Sequence, residues 1–378
     1  MKKMKKITGV TSILASAILA AGLLAGCGNA KTASDTSVVS KSESTQDVST
    51  VSKSESSKDT SGASSESVVE EENSSESDES KATADVIRVG SLKGPTSMGL
   101  VFLMEENENQ TSENHYEFSM ATAADELTGQ IVKGDLDIAL VPANVASILY
   151  QKTEGGIKAV DINTLGVLYV VTGDESVTSI ADLAGRTVYL TGKGTTPDYV
   201  LQYLLKANQV EGADLQYKSE SAEVVSVLAS DPSAVGVLPQ PFATAAGVQN
   251  TDLKSVISLT DVWKETPDSN GSQLVTGVTI VRKEFYEQYP EAVEAFLQEH
   301  GESVDAINAD AETGAELVVK QGIIEKAPVA QKAIPLCNIV CISGEEMKTA
   351  LDGYLQVLYD QDPVSVGGTL PDQDFYIE

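Results

Sequence analysis

The sequence is nearly without histidine and poor in cysteine. His115 and His300 are its only imidazoles, and Cys27, Cys337 and Cys341 its only thiols, in 378 residues. No Cys/His spacing of the zinc-binding kind exists, so no metal site is expected. His115 falls in a polar stretch between elements and His300 at an expected helix end, and no Ser/His/Asp arrangement is evident, so no catalytic group is expected. Basic residues are scarce as well: 26 Lys and Arg stand against 56 Asp and Glu, for a net charge of −30. Such a surface repels nucleic acid and anionic lipid, which excludes both as partners of the acidic body. Only one long apolar run exists, Ile13 to Ala25, and it is too short and too rich in Ala and Gly for a stable membrane span. Cys337 and Cys341 form a C-x3-C pair that could bridge on a helix but would lie too far apart on an extended segment; they are read as free, buried, structural thiols.

What is present begins with Lys2, Lys3, Lys5 and Lys6, followed by that apolar run and Leu24-Ala-Gly-Cys27. A basic start, a short apolar stretch and small residues before a cut form a secretory signal. A cysteine directly after Leu-Ala-Gly resembles the bacterial lipobox. That resemblance implies lipidation of Cys27 as the mature N-terminus and attachment to the outer face of a membrane through lipid alone. Residues 28–84 are dominated by Ser, Thr, Glu, Asp and Lys and hold no aromatic residue. They cannot bury enough apolar surface to offset the entropy of ordering, and are expected to be a disordered acidic tether. The leader carries +4, and the tether has 5 lysines against 12 acids, which leaves −27 on residues 85–378.

Those 294 residues are comfortable for two cores. Strands are expected at Val86–Leu92, Glu117–Thr122, Leu136–Val141 and Thr164–Val171. Helices between them open at Gly94-Pro-Thr-Ser97, at Asp125 and after Pro142. This strand–helix repetition predicts mostly parallel sheets with helices on both faces. The pattern restarts with the Ser179-x-x-Asp182 cap, a strand Arg186–Leu190, strands Asp214–Lys218, Ala234–Leu238 and Leu253–Leu259, and the helices between them. After the strand Val275–Val281 the chain is expected to be helical: Glu284–Glu287, Pro290–His300, Asp310–Gln321, Ala327–Ala333, and a long helix from the Ser343-Gly-Glu-Glu346 capping box to about Tyr359. The fold class is therefore α/β with two lobes. Residues 85–172 and 275–378 form lobe 1 and residues 173–274 lobe 2, joined by a two-segment hinge near Tyr169–Thr172 and Leu274–Gly277.

The organising stretch is Leu190-Thr-Gly-Lys-Gly-Thr-Thr-Pro-Asp198. A strand runs into a glycine turn, Thr195 or Thr196 caps a helix, and Pro197 sits in its first turn. Free N–H groups at a helix start, on the carboxyl edge of a sheet, are where open α/β proteins bind small ligands. Turns of the same kind at 93–98, 122–125, 142–144 and 239–242 are expected to face one crevice. The expected ligand contacts are Lys93, Thr96, Ser97, Met98, Thr122, Ala123, Asn144, Tyr169, Gly194, Thr195, Thr196, Gln240, Phe242 and Thr276. Met98 and Phe242 also suit the core, and Asp125 and Asp198 suit helix termini. Few basic groups near the crevice favour a small, mostly neutral or aromatic guest over a multiply charged anion.

The lipobox, the Ser/Glu tether and Val89-Gly-Ser-Leu-Lys-Gly-Pro-Thr-Ser-Met-Gly99 resemble an ABC-transporter substrate-binding lipoprotein. So do Lys133-Gly-Asp-Leu-Asp-Ile-Ala-Leu-Val-Pro142, Ile180-Ala-Asp-Leu-Ala-Gly-Arg-Thr-Val188 and Gly236-Val-Leu-Pro-Gln-Pro-Phe242. The branch resembled is the nitrate/sulfonate/taurine type, with the type II periplasmic-binding-protein fold. The resemblance implies a monomer without cofactor that captures a small organic solute outside a Gram-positive-type cell. It would hand that solute to an ABC permease driven by a cytoplasmic ATPase. A ligand-sensing surface receptor and a pyrimidine-synthase-like enzyme are the alternatives on the same fold.

Overall fold

Short β-branched and apolar runs give eleven strands among the described residues. They are β1 (Ile87–Leu92), β2 (Tyr116–Ala121), β3 (Ile138–Pro142), β4 (Ile157–Leu165), β5 (Leu168–Thr172), β6 (Thr187–Thr191), β7 (Asp214–Lys218), β8 (Val235–Pro239), β9 (Lys254–Ser258), β10 (Val275–Arg282) and β11 (Ile339–Ser343). The structure is a computed structural model that describes residues 84–266 and 271–377. The expected signal segment, Cys27 and all but the last residue of the acidic tether lie outside the described residues. Among those described, no helix is long and apolar enough to cross a membrane.

The strands form two sheets, ordered β11-β4-β10-β3-β1-β2 and β7-β6-β8-β5-β9. In the first, β1 runs parallel to β2 and β3, while β10 is antiparallel to both its neighbours, β3 and β4. In the second, β6 is parallel to β7 and β8, and β5 is antiparallel to β8 and β9. Successive side chains on a strand leave by opposite faces. Along β3, Ile138 and Leu140 accordingly enter one apolar cluster with Ile87, Val89 and Phe296, while Ala139 and Val141 enter another with Leu127, Ile131 and Leu149. Both faces are covered, so the strand is apolar nearly throughout.

Several expectations are corrected. The strand expected at 164–171 is two strands in different sheets. The chain crosses at Gly166–Val167, before Tyr169, and β5 belongs to the second sheet. Gly166 is where β4 can hand over to β5, because neighbours crowd its Cα: a Cβ there would sit 2.3 Å from Thr260 Oγ1 and 2.5 Å from Leu274 Cδ2. Its carbonyl also accepts from Thr260 Oγ1 at 2.9 Å and Asn338 Nδ2 at 2.6 Å. Gly166→Ala is expected to cost about 1–3 kcal/mol by overpacking, read as a lower urea midpoint with an unchanged slope. A midpoint equal to that of the parent would show that the crossing is not tight.

β11 is a strand that the sequence reading leaves out. The helix starting at Pro290 runs on to Ala309, which places His300 in its middle and fully buried rather than at its end. Ser343 precedes the last long helix, Gly344–Gln361, but makes no side-chain cap. The two sheets share one core cluster, beside smaller ones on each sheet alone. The largest apolar cluster takes Ile162 and Val278 from the first sheet and Val170, Val188 and Leu190 from the second. Trp263, Tyr354, Leu355 and Leu358 join them, because the helix Gly344–Gln361 lies against β4, β11 and the helix Thr196–Ala207. At its end, Tyr199 OH donates to Asp362 Oδ2 at 2.8 Å.

Candidate functional site

β3 ends at Pro142, which is also the N-cap of the helix Ala143–Lys152. Proline has no side-chain acceptor to offer, so the first N–H groups of this ten-residue helix are left without a side-chain cap. On the second sheet, β6 passes into a loop in which Gly192 (φ 75°) and Gly194 (φ 70°) take left-handed conformations that favour glycine. Thr195, the N-cap of Thr196–Ala207, is extended, but its hydroxyl turns back to the Gly192 carbonyl at 2.6 Å instead of capping the helix. The loop is fixed by Asp198. One of its oxygens accepts from Gly194 N–H at 2.8 Å, and the other from Gln202 Nε2 at 2.6 Å and Tyr217 OH at 2.7 Å. This carboxylate is buried and fully engaged within the protein. Burial, followed by the Asp198 contact, pushes the Tyr217 phenol up, so it stays a donor at neutral pH. Lys193 lies over the Tyr217 ring, 5.4 Å from its centroid.

Strand register then assembles a crevice from both sheets. Gly277 of β10 pairs with Pro142 at the end of β3, and Leu168 of β5 pairs with Pro239 at the end of β8. The two antiparallel strands thus begin where the parallel ones stop. A cavity of about 330 Å³ lies at this junction, lined by Pro142, Asn144, Val145, Val167, Leu168, Thr195, Thr196, Pro197, Pro239, Leu274 and Thr276. Hollows of about 430 and 420 Å³ occur elsewhere, one beside Lys133 and Arg282 and one between the helices holding Tyr203 and Val357. Neither takes residues from the carboxyl ends of both sheets.

The crevice offers three threonine hydroxyls, one amide and apolar walls, and no lining side chain is ionisable. Asn144 Nδ2 also reaches Ser365 O at 3.3 Å. A pocket of this kind holds a guest by burial, with a few polar groups setting its orientation.

Of the expected contacts, Asn144, Thr195, Thr196 and Thr276 come together here. The others lie outside the lining. Thr96 Oγ1 donates to Leu92 O at 2.7 Å, and Ser97 Oγ sits 2.7 Å from Ser91 Oγ and 2.8 Å from Leu92 O, so both hydroxyls close the end of β1. Met98 is core, beside Val101 and Val304. Lys93 and Thr122 are exposed, Ala123 is the extended N-cap of Ala124–Lys133, and Gly194 is exposed in its loop. Tyr169 is buried, and its OH donates to Leu336 O at 2.9 Å. Burial, with the nearby Cys337 and Asp261, pushes its phenol up to about 12. Gln240 is buried, with Oε1 accepting from Thr244 Oγ1 at 2.8 Å, and Phe242 is exposed at the start of its helix. Val145, Val167, Leu168, Pro197 and Leu274 line the crevice but are not among the expected contacts. Gly166, which breaks the apolar run at the crossing, is the one signal that could have pointed to Val167 and Leu168.

No protein-family model matches the sequence, and no curated protein matches it. Solved structures match its fold. A structure of an ABC transporter from Parabacteroides distasonis is 24% identical, with 78% of this chain and 99% of that chain covered and a TM-score of 0.66. The periplasmic aliphatic sulphonate binding protein SsuA from Escherichia coli is 15% identical, with 78% and 93% covered and a TM-score of 0.61. The ligand-binding component of an ABC-type import system from Staphylococcus aureus, solved with zinc bound, is 17% identical, with 78% and 97% covered and a TM-score of 0.56.

Proposed function

We propose that this chain, which has the fold of the periplasmic binding proteins of ABC transporters, is the solute-binding component of an ABC importer. It captures a small organic solute between its two sheets and delivers it to a permease without altering it. The observation that carries this reading is the crevice built from the carboxyl ends of β3 and β8 and the amino ends of β5 and β10. Its lining of threonines, one asparagine and apolar side chains holds no ionisable group, which favours a mostly neutral, partly apolar or aromatic guest over a multiply charged one that would lose hydration without a full opposite charge. The sequence of residues 1–27 supports export and attachment through a lipidated Cys27, with the acidic residues 28–84 as the spacer to the membrane.

The test starts with protein purified without denaturation. Mass spectrometry of the small molecules released on unfolding should find one guest per chain. Returned to emptied protein at one hundred times its Kd, that guest should add about 2.7 kcal/mol of stability by mass action. Thr195→Trp and Thr276→Trp should each fill the crevice and weaken calorimetric binding at least tenfold while leaving the melting curve of the empty protein in place. Normal binding by both variants would put the site elsewhere. Recovery of a chemically altered guest after incubation would make the protein an enzyme.

A further inference from the structure

The first sheet carries a second group of side chains that the crevice does not use. Asp161 on β4, His300 in the middle of Pro290–Ala309 and Cys341 on β11 bring a carboxylate oxygen, a ring nitrogen and a sulfur within 4.8 Å of one another. Asp161 and His300 are wholly buried and Cys341 is partly so. His300 Nδ1 lies 3.3 Å from Asp161 Oδ2, and the other Asp161 oxygen accepts from Thr279 Oγ1 at 3.0 Å. The imidazole stacks on Phe296, at 5.7 Å and 19°, which fixes its plane. Its Nε2 is buried and has no hydrogen-bond partner. Gly99 leaves that nitrogen room, since a Cβ there would approach it to 3.1 Å. The Cys341 sulfur has only a weak contact to Leu297 O, at 3.9 Å.

This is a costly arrangement for a protein interior. A buried carboxylate needs a compensating charge, and the one ionisable cationic partner of Asp161 among the described residues is His300, itself wholly buried. We infer that Asp161, His300 and Cys341 form a binding site for a divalent transition metal ion, zinc in the first place. Carboxylate, imidazole and thiolate are all zinc donors, and three protein ligands leave a fourth tetrahedral position for water. The charges balance, because one carboxylate and one thiolate neutralise a divalent ion and leave the buried complex without net charge. On binding, the Cys341 S–H bond breaks, the sulfur keeps the electron pair and gives it to the metal, and the proton passes to solvent. Zinc–ligand lengths of about 2.0–2.3 Å place tetrahedral donors about 3.3–3.8 Å apart, so the group must contract by about 1 Å from its widest present spacing. None of the three residues lines the crevice, so this inference stands whether or not the crevice binds a solute.

The experiment uses the full chain carrying Cys27→Ser, so that the leader thiol plays no part. The protein is stripped with chelator and titrated with zinc against a chromophoric competitor, then separately with cobalt while thiolate-to-cobalt absorption is followed. One zinc ion per chain is expected to compete with the indicator, and one equivalent of cobalt to produce the thiolate band. Adding Cys341→Ser should abolish that band and weaken zinc binding at least tenfold, while Cys337→Ser should change neither. Absence of the band from the Cys27→Ser parent overturns the proposal, and that reading depends on no further variant folding. Zinc affinity unchanged by Cys341→Ser overturns it as well, and would assign the ion to the acidic surface.

Discussion

Trp263→Ala is expected to lower the free energy of unfolding by about 3–5 kcal/mol, as read by urea denaturation followed by circular dichroism. Trp263 is the single tryptophan of the chain and is fully buried. Its ring centroid lies 4.6 Å from that of Tyr203 and 5.7 Å from that of Tyr354, and Nε1 donates to Ser272 Oγ at 3.1 Å. Tyr203 belongs to a helix of the second sheet, while Tyr354 belongs to the C-terminal helix that also lies on β4 and β11. Truncation therefore opens a cavity where two helices and both sheets meet, and it leaves the Ser272 hydroxyl without its donor. The parent should unfold in a single transition and the variant at a lower urea concentration. A loss below about 1 kcal/mol would mean that the site collapses around the missing ring, and that this contact does not couple the sheets.

The second large effect is expected at Asp137, where two arginines converge. Arg88 Nε and Nη2 donate to its two oxygens at 2.9 and 2.6 Å, and Arg282 Nη2 donates at 2.8 Å. The Arg88 backbone N–H adds a fourth bond at 3.0 Å. Burial pushes the Asp137 carboxyl up, but the hydrogen bonds from Arg88 and Arg282 outweigh it, and the net shift is downward. A carboxyl held below its ordinary value of about 3.9 stabilises the fold at every pH above that value, and the contribution is lost as pH falls through the folded value. Asp137→Asn should thus cost about 3 kcal/mol at pH 7. That is the lower end of the range for a broken buried pair, because the Arg88 side chain is 37% exposed. The difference between parent and variant should shrink below about pH 4. A difference that stays constant from pH 7 to pH 3 would show that the charge of Asp137 contributes nothing.

Much of the fold was legible because its strands are short, apolar and closed by glycine or proline. Leu136–Val141 and Pro142 mark β3 and its helix without any knowledge of neighbours. β4 was harder to see because Asp161, Asn163 and Thr164 interrupt its apolar run. All three are buried, and they spend their polar groups on one another, on Thr279 and on His300, partners that only the folded sheet provides. β11 was missed because five residues of mixed apolar type fit a strand or a buried helix equally well. The crevice was half legible. Turns at strand ends can be located in a sequence, but which of them face each other depends on the pairings of Gly277 with Pro142 and Leu168 with Pro239. For the same reason, the absence of a local Cys/His motif did not reveal Asp161, His300 and Cys341 as neighbours. The first two are 139 positions apart and meet only because a helix crosses the sheet over β4 and β11.

The shared core limits how the two halves can move. Each large ring drawn out of it into water would expose about 150–250 Å², which at about 25 cal/mol per Å² costs roughly 4–6 kcal/mol. Trp263 and Tyr354 are both fully buried there, so opening on that flank is expected to cost more than opening elsewhere. Widening between the sheets is accordingly expected to be greatest on the flank away from those rings, like a jaw about its joint.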